Sequence, residues 1–428
     1  MSELRKKGIT QGALADLTGL DQSTVSKIAH GRIRLTDYEK IVRFLDGLGV
    51  PQELSPVALP GKPPPSRHTT ATWDTPGEIA ADLSRTMETN TTREALDLVE
   101  VALQDILSSY EADGPTGPLR LAHSTAELRR SLTTLTEGHH PASLRARLFQ
   151  LLAQTSAALG YMAVNAARPA HATAYCTAAR TLAQDIGDTT TLMWTHGTLS
   201  LNAYYQGAYE HAETHARTGI ALAPHHPQSV RLLSNGTARA LAKLGDPRAG
   251  DDIQEALRLS DQHGLDDGLT PCISLAPYGR ARTLANALTA QVALHSPAML
   301  VYETEIASAI EAADSAWSRS LVTLDLAAAQ LDADPPEVEH AMILGERALE
   351  AHRQAPPILS VHRRAHELHR QAQPWAGHPA VEDFAQALHQ MELDPAGRDF
   401  KHTARPSRSD REHHTTVDAL RPRDPIRR

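Results

Sequence analysis

Short turns recur along the middle of this 428-residue chain, near Arg168, Gly207 and Asp246, each 39 residues after the one before. A second pair, near His295 and Asp334, keeps the same separation after a longer gap of 49 residues. Between the turns the apolar residues follow a helical period and nowhere alternate over a long run, so almost no sheet is expected. A fixed helix–turn–helix period implies an α-solenoid. No single helix pair can bury its apolar face alone, so neighbours must stack. Tyr204–Pro224 shows the unit most clearly, with a helix end, a turn at Gly207, small residues at Ala212 and Ala216, and a closing Pro224. Only 4% of the residues are aromatic, and the fold class expected is all-α.

Breaks divide the chain further. Pro51–Pro76 holds seven prolines and reads as an extended linker. Others fall at His139–Pro141, Gly187-Asp188, Pro224–Pro227, Gly245–Pro247 and Pro335-Pro336. The organisation expected is a small N-terminal domain over 1–54 and a Pro-rich linker over 55–77. A helical connection over 78–143, an α-solenoid over 144–395 and a disordered basic tail over 396–428 complete it.

Gly8–Gly31 has the local pattern of two short helices and a tight turn. Thr10 suits the N-cap of a helix over Gln11–Leu17, and Gly19 stands at C′, where a left-handed backbone is needed. Asp21 caps a second helix over Gln22–Ala29, with Val25 and Ile28 pointing inward and Gln22, Ser23, Ser26 and Lys27 outward. An amphipathic helix over Thr36–Leu48 closes a small core.

This pattern, TQxxLAxxTGxxQSxVSxIxxG, resembles the phage-repressor/Cro-like, or XRE-family, helix-turn-helix over roughly residues 1–54. The resemblance implies that the second helix enters the DNA major groove. It implies that Gln11 grips a phosphate and that Gln22, Ser23, Ser26 and Lys27 face bases or backbone. Arg32 and Arg34, just beyond, suit phosphate contacts. The family carries a full helix before the motif, where this chain offers only Met1–Lys7. The first helix is therefore short here, or the true start lies upstream.

Tyr204–Pro224 resembles a tetratricopeptide repeat through Tyr205, Gly207, Tyr209, Ala212, Ala216, Ala221 and Pro224. Degenerate copies extend over about residues 144–351. The resemblance implies a concave groove lined by the first helix of each pair. Candidate groove residues for a peptide, protein or small molecule are Asn165, Trp194, Asn202 and Tyr205. The combination resembles regulators of actinomycete-type bacteria.

Charge agrees with contact confined to the N-terminal module. Residues 1–54 carry 8 basic against 7 acidic residues, 397–428 carry 9 against 5, and 55–396 carry 25 against 39. The acidic body is repelled by phosphate. So weakly basic a module binds usefully as one of a linked pair, which points to a homodimer.

Other chemistry lacks a motif. His362, His366 and His369 miss the HExxH spacing by one residue, and arginines flank them, so exposed histidines of a polar helix are expected. Phosphate-binding glycine loops and a nucleophile elbow are missing, and Cys176 and Cys272 read as buried thiols of a reducing compartment. The expectation is a cytoplasmic, non-enzymatic transcriptional regulator, nucleoid-associated when DNA-bound. It needs no cofactor, metal or membrane. The alternative is a helical-repeat scaffold with a vestigial helix-turn-helix.

Overall fold

The computed structural model describes residues 15–16, 20–29, 91–111, 117–137, 140–265, 269–296, 303–311, 315–352 and 358–393. Among them every regular element is helical and none is a strand. The chain divides into two compact units, Met1–Trp73 and Asp74–Arg428. The linker expected over 55–77, the tail over 396–428 and the helix over Thr36–Leu48 lie outside the described residues.

In the first unit Ala15 and Asp16 are helical, and α1 spans Gln22–Ala29. In the second unit, α2 (Arg93–Ser109) and α3 (Gly117–Leu135) precede a series of helix pairs. The first pair is α4 (Ala142–Asn165) with α5 (Pro169–Ile186), and the next is α6 (Thr189–Tyr205) with α7 (Tyr209–Leu222). The third joins α8, continuous over residues 228–243 with a π-helical centre at Leu232–Thr237, to α9 (Arg248–Gln262). Then come α10 (Arg280–Ala293) with α11 (Glu303–Glu311), and α12 (Ala316–Leu331) with α13 (Val338–His352). The last pair is α14 (Leu359–Gln371) with α15 (Pro379–Leu393).

One turn recurs in four pairs. Ala167, Gly207, Gly245 and His295 have φ of 53°, 75°, 71° and 51°. In each, the next residue donates its N–H back across five residues. These bonds are Arg168 to Ala163 (2.8 Å), Ala208 to Ala203 (3.0 Å), Asp246 to Leu241 (2.9 Å) and Ser296 to Gln291 (3.0 Å). This is the Schellman closure, which satisfies helix-end carbonyls with one left-handed residue. Four of the five recurring turns in the sequence thus mark one repeated physical device, which Ala167 and His295 carry out without glycine; the turn near Asp334 has no left-handed residue.

The two helices of a pair differ in burial. The second helices α5 and α7 bury a narrow stripe of mostly small residues: Ala172, Cys176, Ala179 and Ala183 on α5, and Ala212, Ala216 and Gly219, with Tyr209, on α7. First helices are buried nearly all round, as is every residue of α6 from Thr191 to Tyr205. Small residues let the helices approach closely. A Cβ on Gly160 would lie 2.7 Å from Cys176 Sγ, and one on Gly236 would lie 2.6 Å from Ala216 Cβ.

The first helices stack in chain order, α4, α6, α8, α10, α12 and α14, and α14 returns to touch α4. Tyr161 of α4 faces Trp317 of α12 with ring centroids 6.5 Å apart, and Tyr110 meets the same indole at 6.2 Å. Lys243 of α8 and Glu367 of α14 form an ion pair at 3.1 Å. The open concave groove expected from the stacking is therefore closed. The series curls tightly enough for its two ends to share a core, and the former concave face becomes an interior.

Candidate nucleic-acid interface and interior cavity

Asp21 fixes the start of α1. Its Oδ1 accepts from Thr24 N at 2.9 Å and its Oδ2 from the Thr24 hydroxyl at 2.5 Å. These bonds, led by the Thr24 hydroxyl and joined by Ser23, draw the Asp21 carboxyl down to about 2. Asp188 repeats the arrangement at the start of α6, accepting from Thr191 N at 3.0 Å and from its hydroxyl at 2.6 Å.

Val25 is fully buried, whereas Gln22, Ser23 and Lys27 are exposed and Ser26 is half-buried. At about 100° per residue these four polar positions span an arc of about 140°, with Val25 on the opposite side. The cap sets where the helix begins, and Val25 sets which way it rolls. One short helix thus presents a compact set of amide, hydroxyl and ammonium groups, the types that read base edges and phosphates. Gln11, Arg32 and Arg34 lie outside the described residues.

The closed interior of the second unit holds a cavity lined from all six first helices. Its empty volume is about 460 Å³, part of it open to solvent. Asn165 and Tyr205 line it. Asn165 lies 3.5 Å from the Tyr110 hydroxyl, to which it donates. Trp194 and Asn202 do not line it. Trp194 is fully buried and donates its Nε1–H to Ser274 O at 2.8 Å. Asn202 donates to Pro169 O and Thr173 Oγ1, both at 3.2 Å, tying α6 to α5.

Charged side chains that sequence reasoning passed over also line the cavity. Arg239, Arg282, Arg364 and Asp325 all contribute. Arg364 Nε lies 3.1 Å from Asp325 Oδ1, and its NH2 group donates to Thr289 Oγ1 at 2.8 Å. Arg282 donates to Thr270 O at 2.7 Å and to Ser318 Oγ at 2.6 Å. Arg239 donates to Asn235 Oδ1, while its Nε has no partner. Burial holds the Asp325 carboxyl above its ordinary range, against the pull of Arg364. The nearby Glu111 accepts from the backbone of Cys272 and from the hydroxyls of Ser315 and Ser318, the last two at 2.9 Å. The sequence signal for this wall is a set of arginines and asparagines at inward positions of Ala-rich helices, Arg282 and Asn286 among them.

The π-helical stretch belongs to this wall. Its wider turn inserts a residue into the helix and redirects the turns beyond it, a feature frequent at functional sites. Asn235 within it and Arg239 one turn beyond both reach the cavity.

The C-terminal histidines do not converge. His362 is buried, a correction to the exposed position expected for it, because α14 turns that side toward the core. His366 lies 3.1 Å from Glu392, and His369 packs beside the Phe384 ring. Among the described residues no three His, Cys, Asp or Glu side chains are placed to hold a metal ion. None of the described helices is long and apolar enough to cross a membrane.

Residues 3–56 match the family model of a helix-turn-helix domain. No curated protein matches the chain.

Proposed function

We propose that this chain is a sequence-specific DNA-binding transcriptional regulator whose helical-repeat body reports a signal to the N-terminal module. The helix-turn-helix match over residues 3–56 carries the reading. The capped α1, with Val25 buried and Gln22, Ser23 and Lys27 exposed, supports it. In this reading Gln22, Ser23, Ser26 and Lys27 meet base edges, and Gln11, Arg32 and Arg34 hold phosphates. The protein acts in the bacterial cytoplasm as a homodimer spanning two half-sites, because one weakly basic module gives little affinity alone.

The body is a tetratricopeptide-like solenoid in this reading. Its closed interior favours a small molecule over a peptide as the signal. A peptide would need a long continuous groove, whereas the space present is a compact pocket lined from all six first helices. Occupancy would change how the helix pairs curl and hence the spacing of two DNA modules.

The test is selection of random duplexes by the full-length chain at low ionic strength. The expected result is an enriched site whose affinity falls by ~1–3 kcal/mol per lost base contact in a Gln22→Ala, Lys27→Ala variant. Absence of any preference over random competitor DNA would overturn the regulator and leave the helical-repeat scaffold.

A further inference from the structure

We infer that the interior cavity is a binding site for a compact organic anion, one carrying a carboxylate or phosphate group. The inference rests on the proposal that the helical body receives a small-molecule signal, and it names the chemistry of that signal.

The cavity wall places three guanidinium groups against the single carboxylate of Asp325. Arginine keeps its charge when buried, so the wall is electropositive. Burying a charge is costly unless it is paired. Asp325 is committed to Arg364, and Glu111 is held by the Cys272 backbone and two serine hydroxyls. Neither carboxylate lies within ion-pair distance of Arg239, which Asp325 attracts only from farther off, and the Arg239 Nε is buried without a hydrogen-bond partner. Arg239 itself is 4% exposed, and its guanidinium lies 4.3 Å from the centre of the Tyr204 ring. Stacking on an aromatic face offsets part of the burial cost, and with Asn235 and Tyr205 engaging other donors of the group the Nε–H is left to a ligand.

An anion in the cavity would supply the missing counter-charge. Guanidinium groups match carboxylate and phosphate geometry through paired N–H donors. Asn165, Asn235 and Asn286 add amides, and Tyr161, Tyr205 and Trp317 add ring surface for the organic portion. The space among these side chains suits the anionic group and its nearest atoms. A larger body requires the long arginine side chains to swing aside.

The experiment is thermal unfolding of the full-length chain with sodium acetate, sodium benzoate, phenyl phosphate or inorganic phosphate, each against sodium chloride at matched ionic strength. Acetamide and benzamide are the neutral controls. An anion at about 100 times its Kd is expected to raise Tm by about 5 °C, and its neutral counterpart is expected to leave Tm unchanged. Carboxylate and phosphate arms separate the two headgroups. Arg239→Gln is expected to keep the helical circular dichroism and lose at least half of the shift. Equal stabilisation by neutral probes, no shift from any anion, or an undiminished shift in Arg239→Gln would overturn the inference. The comparison of wild-type protein with charged and neutral probes decides the matter even if the variant does not fold. No DNA is present, so a failure here leaves the DNA-binding reading standing, and a failed duplex selection leaves this site standing.

Discussion

The guanidinium of Arg231 lies 4.2 Å from the centre of the Trp194 ring. Tyr278 and Tyr161 flank the same cation at 5.4 and 5.7 Å. Arg231 is 1% exposed, and its Nε and one terminal nitrogen lack hydrogen-bond partners. Its aromatic surroundings and the volume it fills hold it in place. Replacing a buried charged group by an apolar one of similar shape is often neutral or stabilising, whereas truncation leaves a hole. Arg231→Met is therefore expected to unfold in urea within about 1 kcal/mol of wild type, and Arg231→Ala about 3 kcal/mol below it. Equal losses in the two variants would show that the cation, not the packing, matters.

Close approach of α7 and α8 is set by two residues without bulk. A Cβ added to Gly236 would stand 2.6 Å from Ala216 Cβ, and neither atom can rotate away. Gly236→Ala is expected to cost about 1–3 kcal/mol through overpacking. Adding Ala216→Gly removes the clashing atom and should recover part of the loss, giving a coupling energy of at least about 0.5 kcal/mol in a double-mutant cycle. Strict additivity in chemical denaturation would mean that the helices separate freely, contrary to the packing described.

Helix pairs and turns are legible in the sequence because both are local. Gly207 and Gly245 announce their turns by residue type, while Ala167 and His295 take the same backbone form without that signal. The small-residue stripe of α5 is harder to place to the residue. Ala172, Cys176, Ala179 and Ala183 are buried, and the adjacent Ala178 is only half-buried. One step on a helix is about 100°, so a degenerate repeat leaves a slip of one position uncorrected. Closure of the series is not legible, since it depends on Tyr161 meeting Trp317 across 156 positions of chain. The interior arginines escape notice for the same reason. Periodicity says that a position faces inward, but it does not say what stands opposite. Trp194 illustrates the consequence, because a residue chosen as a groove contact is a core anchor hydrogen-bonded to Ser274.

His196 makes stability depend on pH. Burial, then the neighbouring His215 and Arg180, push its imidazole down to about 4. The unfolded chain takes up this proton near the ordinary value of 6.5, while the folded chain resists it until about 4. The contribution is thus fully present above 6.5 and is lost as pH falls through about 4. After allowance for partial hydration, the span is on the order of 2 kcal/mol. Comparing urea unfolding at pH 7 and 4.5, His196→Asn is expected to shrink the acid-induced loss by about 1–2 kcal/mol. An unchanged pH dependence would assign that loss to other groups.

Asp21 lets the role of a cap be separated from that of a charge at the DNA surface. It is exposed, negatively charged down to about pH 2, and bonded through both carboxylate oxygens to Thr24. Asparagine is as good an N-cap and can still accept from the Thr24 N–H, whereas alanine offers no acceptor. Asp21→Asn is therefore expected to preserve the fold of the module and to bind duplex DNA at least as tightly as wild type, since one like charge near phosphate is gone. Asp21→Ala is expected to bind more weakly despite the same charge change, because the start of α1 frays and the arc of Gln22, Ser23 and Lys27 is no longer held. Fluorescence anisotropy with a selected duplex at two salt concentrations distinguishes the effects. Charge removal changes the salt dependence in both variants, whereas fraying lowers affinity at both salts only in the alanine variant. Equal affinity of the two variants at both salts would remove the cap from the account of how α1 is presented.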